Sequence, residues 1–272
     1  MRVQVKFFAI FREMLGVKSE AKDIPDGTTV EQLWQAYAAT SPRAISVRAA
    51  YAVNQKLVPA DQVLREGDVV GFLPPVSGGA GQVKSKKVKV KSNAPRGKRK
   101  AVKRKAANVK DKTSRAPEEA WITTRRLDLN VLVKRVAFPG AGAIIPFIGV
   151  VRDNSQGKPV DHLEYEAYPE MAEQALREII AEIHERWAEV RVVIAHRIGK
   201  LKIGDASLII AIAAPHRPEG YAASRYAIER IKAIVPVWKK EFTTDGESWV
   251  EGPVAGEIPA MQAERIALGK AG

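Results

Sequence analysis

A run of small residues, Pro74-Pro75-Val76-Ser77-Gly78-Gly79, follows the last apolar segment of the N-terminal part of the chain. Two glycines form a thin strip that could thread into a partner's active site. A terminal glycine carboxylate, once activated, could carry sulfur as a thiocarboxylate, which needs no cysteine, and the chain has none. The opposing interpretation is that Gly78-Gly79-Ala80-Gly81 only begins a flexible linker, because paired glycines are common there.

A second group of residues could bind an anion. The pattern ASLIIAIAA predicts a strand that ends at Pro215-His216-Arg217-Pro218, and Pro218 suits the first turn of a following helix. Unpaired N–H groups at a helix start attract anions, and Arg217 could add a bidentate phosphate contact. Arg225 and Lys232 are seven residues apart on that helix, so they share one face.

Two more lysines, Lys239 and Lys240, follow Trp238 in a segment whose residue pattern predicts an extended conformation. A lysine beside apolar surface can have its pKa lowered, which would make it a nucleophile or a proton shuttle. The simpler interpretation, an ordinary solvated charge, stays open for each lysine taken singly.

The segment FIGVVRDN places Phe147 in a predicted strand and Arg152 where that strand meets a polar loop. Glycine within a strand, here Gly149, permits close approach of a neighbouring backbone or a ligand. Taken alone, this pattern also fits an ordinary strand-to-loop junction.

The remaining histidines are interpreted as structural residues: His162, His184 and His196. Without cysteines and without a His-x-x-x-His spacing, the sequence predicts no metal site.

Residues 1–79 predict one small α+β domain. Val3, Val5 and Phe7 alternate in a first strand, and Thr28 or Thr29 could cap a helix in VEQLWQAYAA. Strands in AAYAVNQKLV and DVVGFLPP follow. This order suits a β-grasp, or ubiquitin-like, fold.

Residues 80–120 have a different composition. Between Gln82 and Glu119 there are fifteen Lys or Arg and three acidic residues, so this segment carries most of the net charge of +13. Like charges repel and little apolar area is available, which predicts a disordered basic linker. Such a segment could also bind nucleic acid, but only non-specifically, because it lacks aromatic side chains for base stacking.

Residues 121–272 predict a second α+β domain, independent of the first. Apolar spacing predicts helices over 170–188 and from Pro218 to about Ala233, between several predicted strands. No apolar run is long enough for a membrane span, and the N-terminus predicts a strand instead of a signal peptide. A soluble cytoplasmic protein without a membrane partner is therefore expected.

Together these segments resemble the molybdopterin synthase family. FLPPVSGG is similar to the C-terminus of its small subunit. Six segments are similar, in the same order, to the large subunit: FIGVVRDNSQG, LEYEAYPEMAE, HRIGKLKIGD, His216-Arg217, IKAIVPVWKKE and GESWVE. The resemblance covers about 1–79 and 125–252 and implies a small β-grasp subunit fused to a large catalytic subunit of α+β fold.

The resemblance implies sulfur transfer. In this family a partner enzyme adenylates the small subunit's terminal glycine, which becomes a thiocarboxylate and enters a pocket of the large subunit. There it delivers sulfur to cyclic pyranopterin monophosphate, and two transfers make the dithiolene of molybdopterin. The family needs no bound cofactor or metal for this step, because molybdenum is inserted later. Its large subunits form a homodimer in which both copies contribute to each active site.

Specific residues of this chain match the family's functional positions. Gly79 matches the sulfur-bearing terminus, Lys232 the catalytic lysine and Lys239 a second important lysine. The family's pterin and phosphate pocket is matched by Phe147, Arg152, His216 and Arg217. Arg225 joins the expected substrate-binding set through its position on the basic helical face.

Two features depart from the family pattern. Gly252 and Pro253 follow Glu251 where a basic residue is common, so one substrate contact could be missing. More importantly, Gly79 continues into Ala80, which leaves no carboxylate to adenylate. We therefore hypothesise that a protease cleaves between Gly79 and Ala80. An uncleaved chain would be an inactive scaffold.

Overall fold

The computed structural model describes residues 1–76, 120–155 and 157–250. Gly79, Ala80, the predicted linker and the departure after Glu251 lie outside the described residues. Within the described ranges, no helix has the length and apolar character needed to cross a membrane.

The first domain is a five-stranded sheet with three helices among its described residues. Its elements are β1 (Arg2–Phe7), α1 (Ala9–Leu15), β2 (Ser19–Asp23), α2 (Val30–Ala38), α3 (Pro42–Ile45), β3 (Ala50–Val53), β4 (Lys56–Val58) and β5 (Val69–Leu73). The strand order is β2-β1-β5-β3-β4, in which β1 and β5 run parallel and the other neighbours antiparallel. This arrangement confirms the predicted β-grasp fold.

Helix α2 shows how local sequence determines this domain. Thr29 accepts a hydrogen bond from the backbone N–H of Gln32, and the Gln32 side chain accepts one from the backbone N–H of Thr29. This capping box satisfies two N–H groups at the helix start. Leu33 and Trp34 then bury one face of the helix against the sheet. Sequence analysis missed α1, because seven residues are too few for a clear helical period.

The second domain contains two sheets and three helices in its described part. Its elements are β6 (Ala120–Thr123), α4 (Leu129–Val136), β7 (Ala143–Val150), β8 (Asn154–Ser155), β9 (Lys158–Ala167), α5 (Pro169–Arg186), β10 (Arg191–Arg197), β11 (Gly199–Lys202), β12 (Ala206–Ala214), α6 (Arg217–Ile234), β13 (Val237–Thr243) and β14 (Gly246–Trp249). One sheet has the order β6-β10-β12-β7 and the other β11-β9-β13-β14, with β8 paired to β9. The segment KLKIGD begins in β11, whose residues 199–202 pair with β9, and the chain turns at 203–204.

The first of these sheets is covered on both faces. Ile194 of β10 packs with α5 and α6, whereas its neighbour Ala195 packs with α4, as strand alternation requires. Helix α6 lies very close to β7, since a Cβ atom on Gly220 would be 2.6 Å from Ile145 Cδ1. Glycine thus lets α6 lie close to the sheet and carry its C-terminal turns toward the second sheet.

Each domain has its own core, and a third apolar cluster joins the two. Phe8, Leu73 and Val76 of the first domain pack with Tyr168 and Trp238 of the second. The ring centroid of Phe8 is 4.7 Å from that of Tyr168 and 5.4 Å from that of Trp238. The domains are therefore docked through stacked aromatic rings.

Candidate active site

A cavity of about 460 Å³ opens between the two sheets of the second domain and the last turns of α6. Phe147 of β7, Tyr165 of β9 and Lys232 of α6 contribute to its wall. The first domain contributes Val76, the last residue described before the glycines. The cavity is therefore shared between the two domains.

The C-terminal segment of the first domain is held at this cavity by a specific hydrogen bond. Trp238 is 2% exposed, and its Nε1 donates to the carbonyl oxygen of Pro74 at 2.9 Å. Val76, two residues later, lines the cavity. The described part of this segment thus ends at the cavity.

An ion pair lies on the cavity wall. Lys239 Nζ is 2.9 Å from Glu241 Oε1, and both side chains are largely buried. Burial acts to raise the pKa of Glu241, but hydrogen bonds from Lys239 and Ser155 and the positive charges of Lys239 and Arg152 outweigh it, so the pKa is lowered. Glu241 is therefore a carboxylate at neutral pH that holds the Lys239 ammonium in place.

A second ionic cluster joins the domains outside the cavity. Lys240 is 7% exposed, and its Nζ donates to Glu13 of the first domain at 2.8 Å and also to Glu247. Trp249 Nε1 donates to the other oxygen of Glu13 at 2.9 Å. Burial acts to raise the pKa of Glu13, but these hydrogen bonds and the charge of Lys240 lower it overall. The buried lysine is thus neutralised by carboxylates from both domains.

A further ion pair, Arg12 with Glu166 at 2.9 Å, crosses the same interface. Here the effect of burial prevails and the pKa of Glu166 is raised, although Arg12 acts to lower it. Protonation of Glu13 in acid therefore weakens the docked state, whereas protonation of Glu166 strengthens it.

Two protein families and several relatives match this chain and identify its family. The MoaE protein family matches residues 122–234, and the ThiS family matches residues 5–79. The molybdopterin synthase catalytic subunit of Halalkalibacterium halodurans is 57% identical over 119 residues, 44% of this chain and 76% of that protein. The same subunit from Bacillus subtilis is 50% identical over 133 residues, 49% of this chain and 85% of that protein.

The chain belongs to the molybdopterin synthase catalytic-subunit family. It carries the ThiS-family domain on the N-terminal side of the MoaE-family domain, so the predicted fusion is confirmed. The predicted fold class and the assignment to molybdopterin synthase are confirmed as well. A solved molybdopterin synthase structure from Staphylococcus aureus is also similar, with 43% identity, a TM-score of 0.47 and coverage of 47% of this chain and 94% of that chain. Below, residues 1–79 are called the carrier domain and residues 120–250 the MoaE domain.

The MoaE domain brings four of the predicted site residues together. Phe147, Arg152, Lys232 and Lys239 all line the shared cavity. Arg152 and Lys232 are exposed, whereas Phe147 and Lys239 are half-buried. The cationic side chains therefore lie where an anionic group could reach them from solvent.

The other predicted residues of this domain lie elsewhere in the same copy. His216 and Arg217 are exposed at the start of α6, about 22 Å along the helix axis from Lys232 at 1.5 Å per residue. Arg225 is exposed on the middle of α6 and does not line the cavity. One copy of the chain therefore does not assemble the complete predicted set.

Sequence analysis also missed several residues of the cavity. Ser155, Tyr165, His196, Ser207 and Glu241 line it, and His196 had been interpreted as structural. The alternation of β13 could have indicated Glu241, because it lies two residues after Lys239 and so shares its face. The same alternation separates Lys240 from Lys239, although the two were first considered together.

No group of three or more His, Cys, Asp or Glu side chains that could hold a metal ion occurs in the parts of the chain that the structure describes.

Proposed function

We propose that this chain transfers sulfur from a thiocarboxylate at Gly79 to cyclic pyranopterin monophosphate and so forms the dithiolene of molybdopterin. One observation carries the proposal: Val76 of the carrier domain lines the same cavity as Lys232 and Lys239 of the MoaE domain. The docked segment is thus directed toward a pocket with a cationic wall, which suits an anionic phosphate substrate.

The proposed chemistry assigns each lysine an electrostatic role. The thiocarboxylate sulfur forms a bond to a side-chain carbon of the substrate, and the oxygen that it displaces leaves with a proton. Water then cleaves the acyl–sulfur bond, so that Gly79 is released as a carboxylate. A second thiocarboxylated carrier domain repeats the transfer at the neighbouring side-chain carbon and supplies the second sulfur of the dithiolene. Lys232 and Lys239 are placed to stabilise the negative charge that develops and to supply the proton. Glu241 keeps Lys239 oriented through their ion pair.

We further propose that the catalytic unit is a homodimer through the MoaE domain. Strand β7 is an edge strand beside the cavity, and Ile144, Ile148 and Val150 on one of its faces are 39%, 40% and 53% exposed. An exposed apolar edge strand favours association with another chain. A second copy bound there could supply its His216 and Arg217 to the cavity, which these residues do not reach in their own copy.

Activity requires a free carboxylate at Gly79, so we propose that a processing protease cleaves between Gly79 and Ala80. An adenylating enzyme then activates the new terminus before sulfur is added. The docked interface is non-covalent, and its aromatic contacts and ion pairs would keep the cleaved carrier domain on the MoaE domain.

The proposal can be tested by reconstitution. Residues 1–79 with a thiocarboxylate terminus are mixed with residues 80–272 and cyclic pyranopterin monophosphate, and the product is identified by mass spectrometry. Dithiolene formation is expected, with a loss of at least about 100-fold in Lys232→Ala and Lys239→Ala. Lys200→Ala is the matched control, because Lys200 is an exposed lysine on β11 outside the cavity. Absence of product with the wild type, or equal loss in the control, would count against the proposal.

Nucleic-acid binding by residues 82–119 stays a prediction, since that segment lies outside the described residues. A gel-shift titration of the full chain with and without 82–119 would test it. Strongly salt-dependent, sequence-blind binding that needs the segment is expected if the prediction is right.

A further inference from the structure

The cavity is lined both by exposed cations and by buried neutral polar groups. Arg152 and Lys232 are exposed at its rim, whereas His196 and Ser207 are 6% exposed and form part of its buried wall. Cations at the rim suit a phosphate. A nitrogen heterocycle that carries N–H groups needs hydrogen-bond acceptors instead, and the buried wall is where such acceptors lie.

The ring of His196 is held in one orientation. Its Nδ1 is 3.0 Å from the carbonyl oxygen of Arg197, and because a carbonyl only accepts, Nδ1 carries the proton. The Tyr165 ring meets the His196 ring at 67°, with centroids 5.3 Å apart. Burial lowers the pKa of His196 to about 4 despite the bond to Arg197, so the ring is neutral at physiological pH.

The second nitrogen of His196 is therefore an available acceptor. Nε2 carries a lone pair, and among the described residues the His196 ring makes its hydrogen bond through Nδ1. Its neighbour Ser207 sits at a bulge in β12, where the pairing with β7 shifts between Ala206 and Leu208. Bulges beside active sites redirect side chains, and here Ser207 Oγ donates to the carbonyl oxygen of Gly149 at 3.2 Å.

Two other side-chain acceptors of the cavity already have partners. Glu241 accepts from Lys239 and Ser155, and Asn154 Oδ1 accepts from the backbone N–H of Gly157 at 3.1 Å. His196 Nε2 thus differs from them as a neutral, oriented acceptor.

We propose that His196 is a positioning residue whose Nε2 accepts a hydrogen bond from an N–H group of the substrate's nitrogen heterocycle. The contact orients the substrate so that its phosphate faces the cationic rim and its reacting carbon faces the carrier segment. This inference rests on the proposed function, because it states how the same cavity holds that substrate.

Two variants separate the two ring nitrogens of His196. His196→Asn keeps an amide donor near the position of Nδ1 for the Arg197 carbonyl but removes the acceptor. His196→Gln places an amide oxygen near the position of Nε2. Binding of cyclic pyranopterin monophosphate to the full chain is measured by isothermal titration calorimetry, and folding is checked by thermal unfolding.

The Asn variant is expected to raise Kd roughly 5- to 10-fold, the effect of one lost hydrogen bond, while Gln restores Kd to within about 2-fold of the wild type. An unchanged Kd in the Asn variant, or equal weakening in both variants, would overturn the role of His196 and leave the proposed function standing. A wild-type chain that does not bind the pterin would overturn both. A wild-type chain that binds it with these variant effects, but forms no dithiolene, would count against sulfur transfer alone.

The role of His196 can also be tested on the wild-type chain, so that the result does not depend on the folding of a variant. The chain has four histidines, so nitrogen-15 labelling of histidine gives a spectrum simple enough to assign. The Nε2 resonance of His196 is expected to shift on addition of cyclic pyranopterin monophosphate, while Nδ1 stays protonated. An unchanged Nε2 resonance at saturating pterin would contradict the proposal.

Discussion

Strand β13 carries two different functions on its two faces. Trp238 and Lys240 face the carrier domain, where Trp238 binds the Pro74 carbonyl and Lys240 binds Glu13. Lys239 and Glu241 face the cavity. The two lysines are adjacent in sequence, but strand geometry turns them to opposite sides. A single strand therefore connects docking of the carrier domain to the place where the chemistry is proposed.

The two faces of β13 also differ in whether their positive charges are paired with carboxylates. On the docking face, Lys240 lies between Glu13 and Glu247, so its charge is neutralised, and the Phe8 and Trp238 rings stack nearby. In the cavity, Arg152 and Lys232 have no carboxylate within ion-pair distance among the described residues, and only Lys239 is paired. Docking thus depends on burial, whereas the cavity keeps positive charge available for an anion.

The largest effect is expected on the docking face. Trp238→Ala removes the stacking with Phe8 and the hydrogen bond to Pro74, and should lower the stability of the docked state by about 3–5 kcal/mol. Small-angle X-ray scattering of the full chain should then show an expanded molecule, and sulfur transfer in the mixture of thiocarboxylated residues 1–79 with residues 80–272 should be lost. Trp238→Phe is the control, because it keeps a ring and should cost only about 1 kcal/mol for the lost hydrogen bond. A Trp238→Ala chain that stays compact would contradict the assignment of docking to this face of β13.

On the cavity face, Glu241→Gln should lower sulfur transfer roughly 10- to 100-fold, because a hydrogen bond to a charged group contributes about 1.5–3 kcal/mol. Docking should not change, since Glu241 does not contact the carrier domain in the described structure. Steady-state rates are measured on residues 1–79 with a thiocarboxylate terminus mixed with residues 80–272, and the scattering profile is measured on the full chain. Expansion of the molecule in this variant would mean that the two faces of β13 are not separate.

A smaller effect is expected from acid. The pKa of Glu13 in the folded chain is below its ordinary value of 4.5, so its contribution to docking is fully present above about pH 4.5 and is lost as the pH falls through the lowered value. Glu166, with a raised pKa, acts in the opposite direction and favours the docked state as it takes up a proton. Denaturant unfolding measured from about pH 6 to about pH 3 should therefore show a stability difference between the wild type and Glu13→Gln that shrinks in acid. A difference that grows as the pH falls would contradict this assignment.

The smallest effect concerns Tyr168, which lies between Phe8 and the start of α5. Its hydroxyl is buried and makes no hydrogen bond to the described residues, and burial raises its pKa. Tyr168→Phe removes an unsatisfied polar group and should leave stability unchanged or raise it by up to about 1 kcal/mol. A loss of more than about 1 kcal/mol in denaturant unfolding would show that the hydroxyl has a partner, such as water.

Most of the fold followed from local patterns in the sequence. The capping box at Thr29, the apolar spacing in α5 and Pro218 at the start of α6 each predicted an element that the structure contains. Short elements such as α1 and β11 were missed, because they contain too few residues to show a period.

The site was predictable only in part. Lys232 and Lys239 came from family resemblance, and the structure places both at one cavity. His196 and Ser207 gave no sequence signal, because a buried histidine in an apolar strand usually has a structural role and a bulge depends on pairing with a distant strand. Likewise, the sequence grouped His216 and Arg217 with Lys232 in one basic site, whereas the structure places them at opposite ends of α6.

The central claim is that Gly79 carries the sulfur, and the most direct test is the intact mass of this protein purified from its own host. A fragment that ends at Gly79, with a portion heavier by the difference between sulfur and oxygen, is the predicted result. It would establish a processed thiocarboxylate carrier. Recovery of only uncut, active chain would contradict sulfur transfer through Gly79.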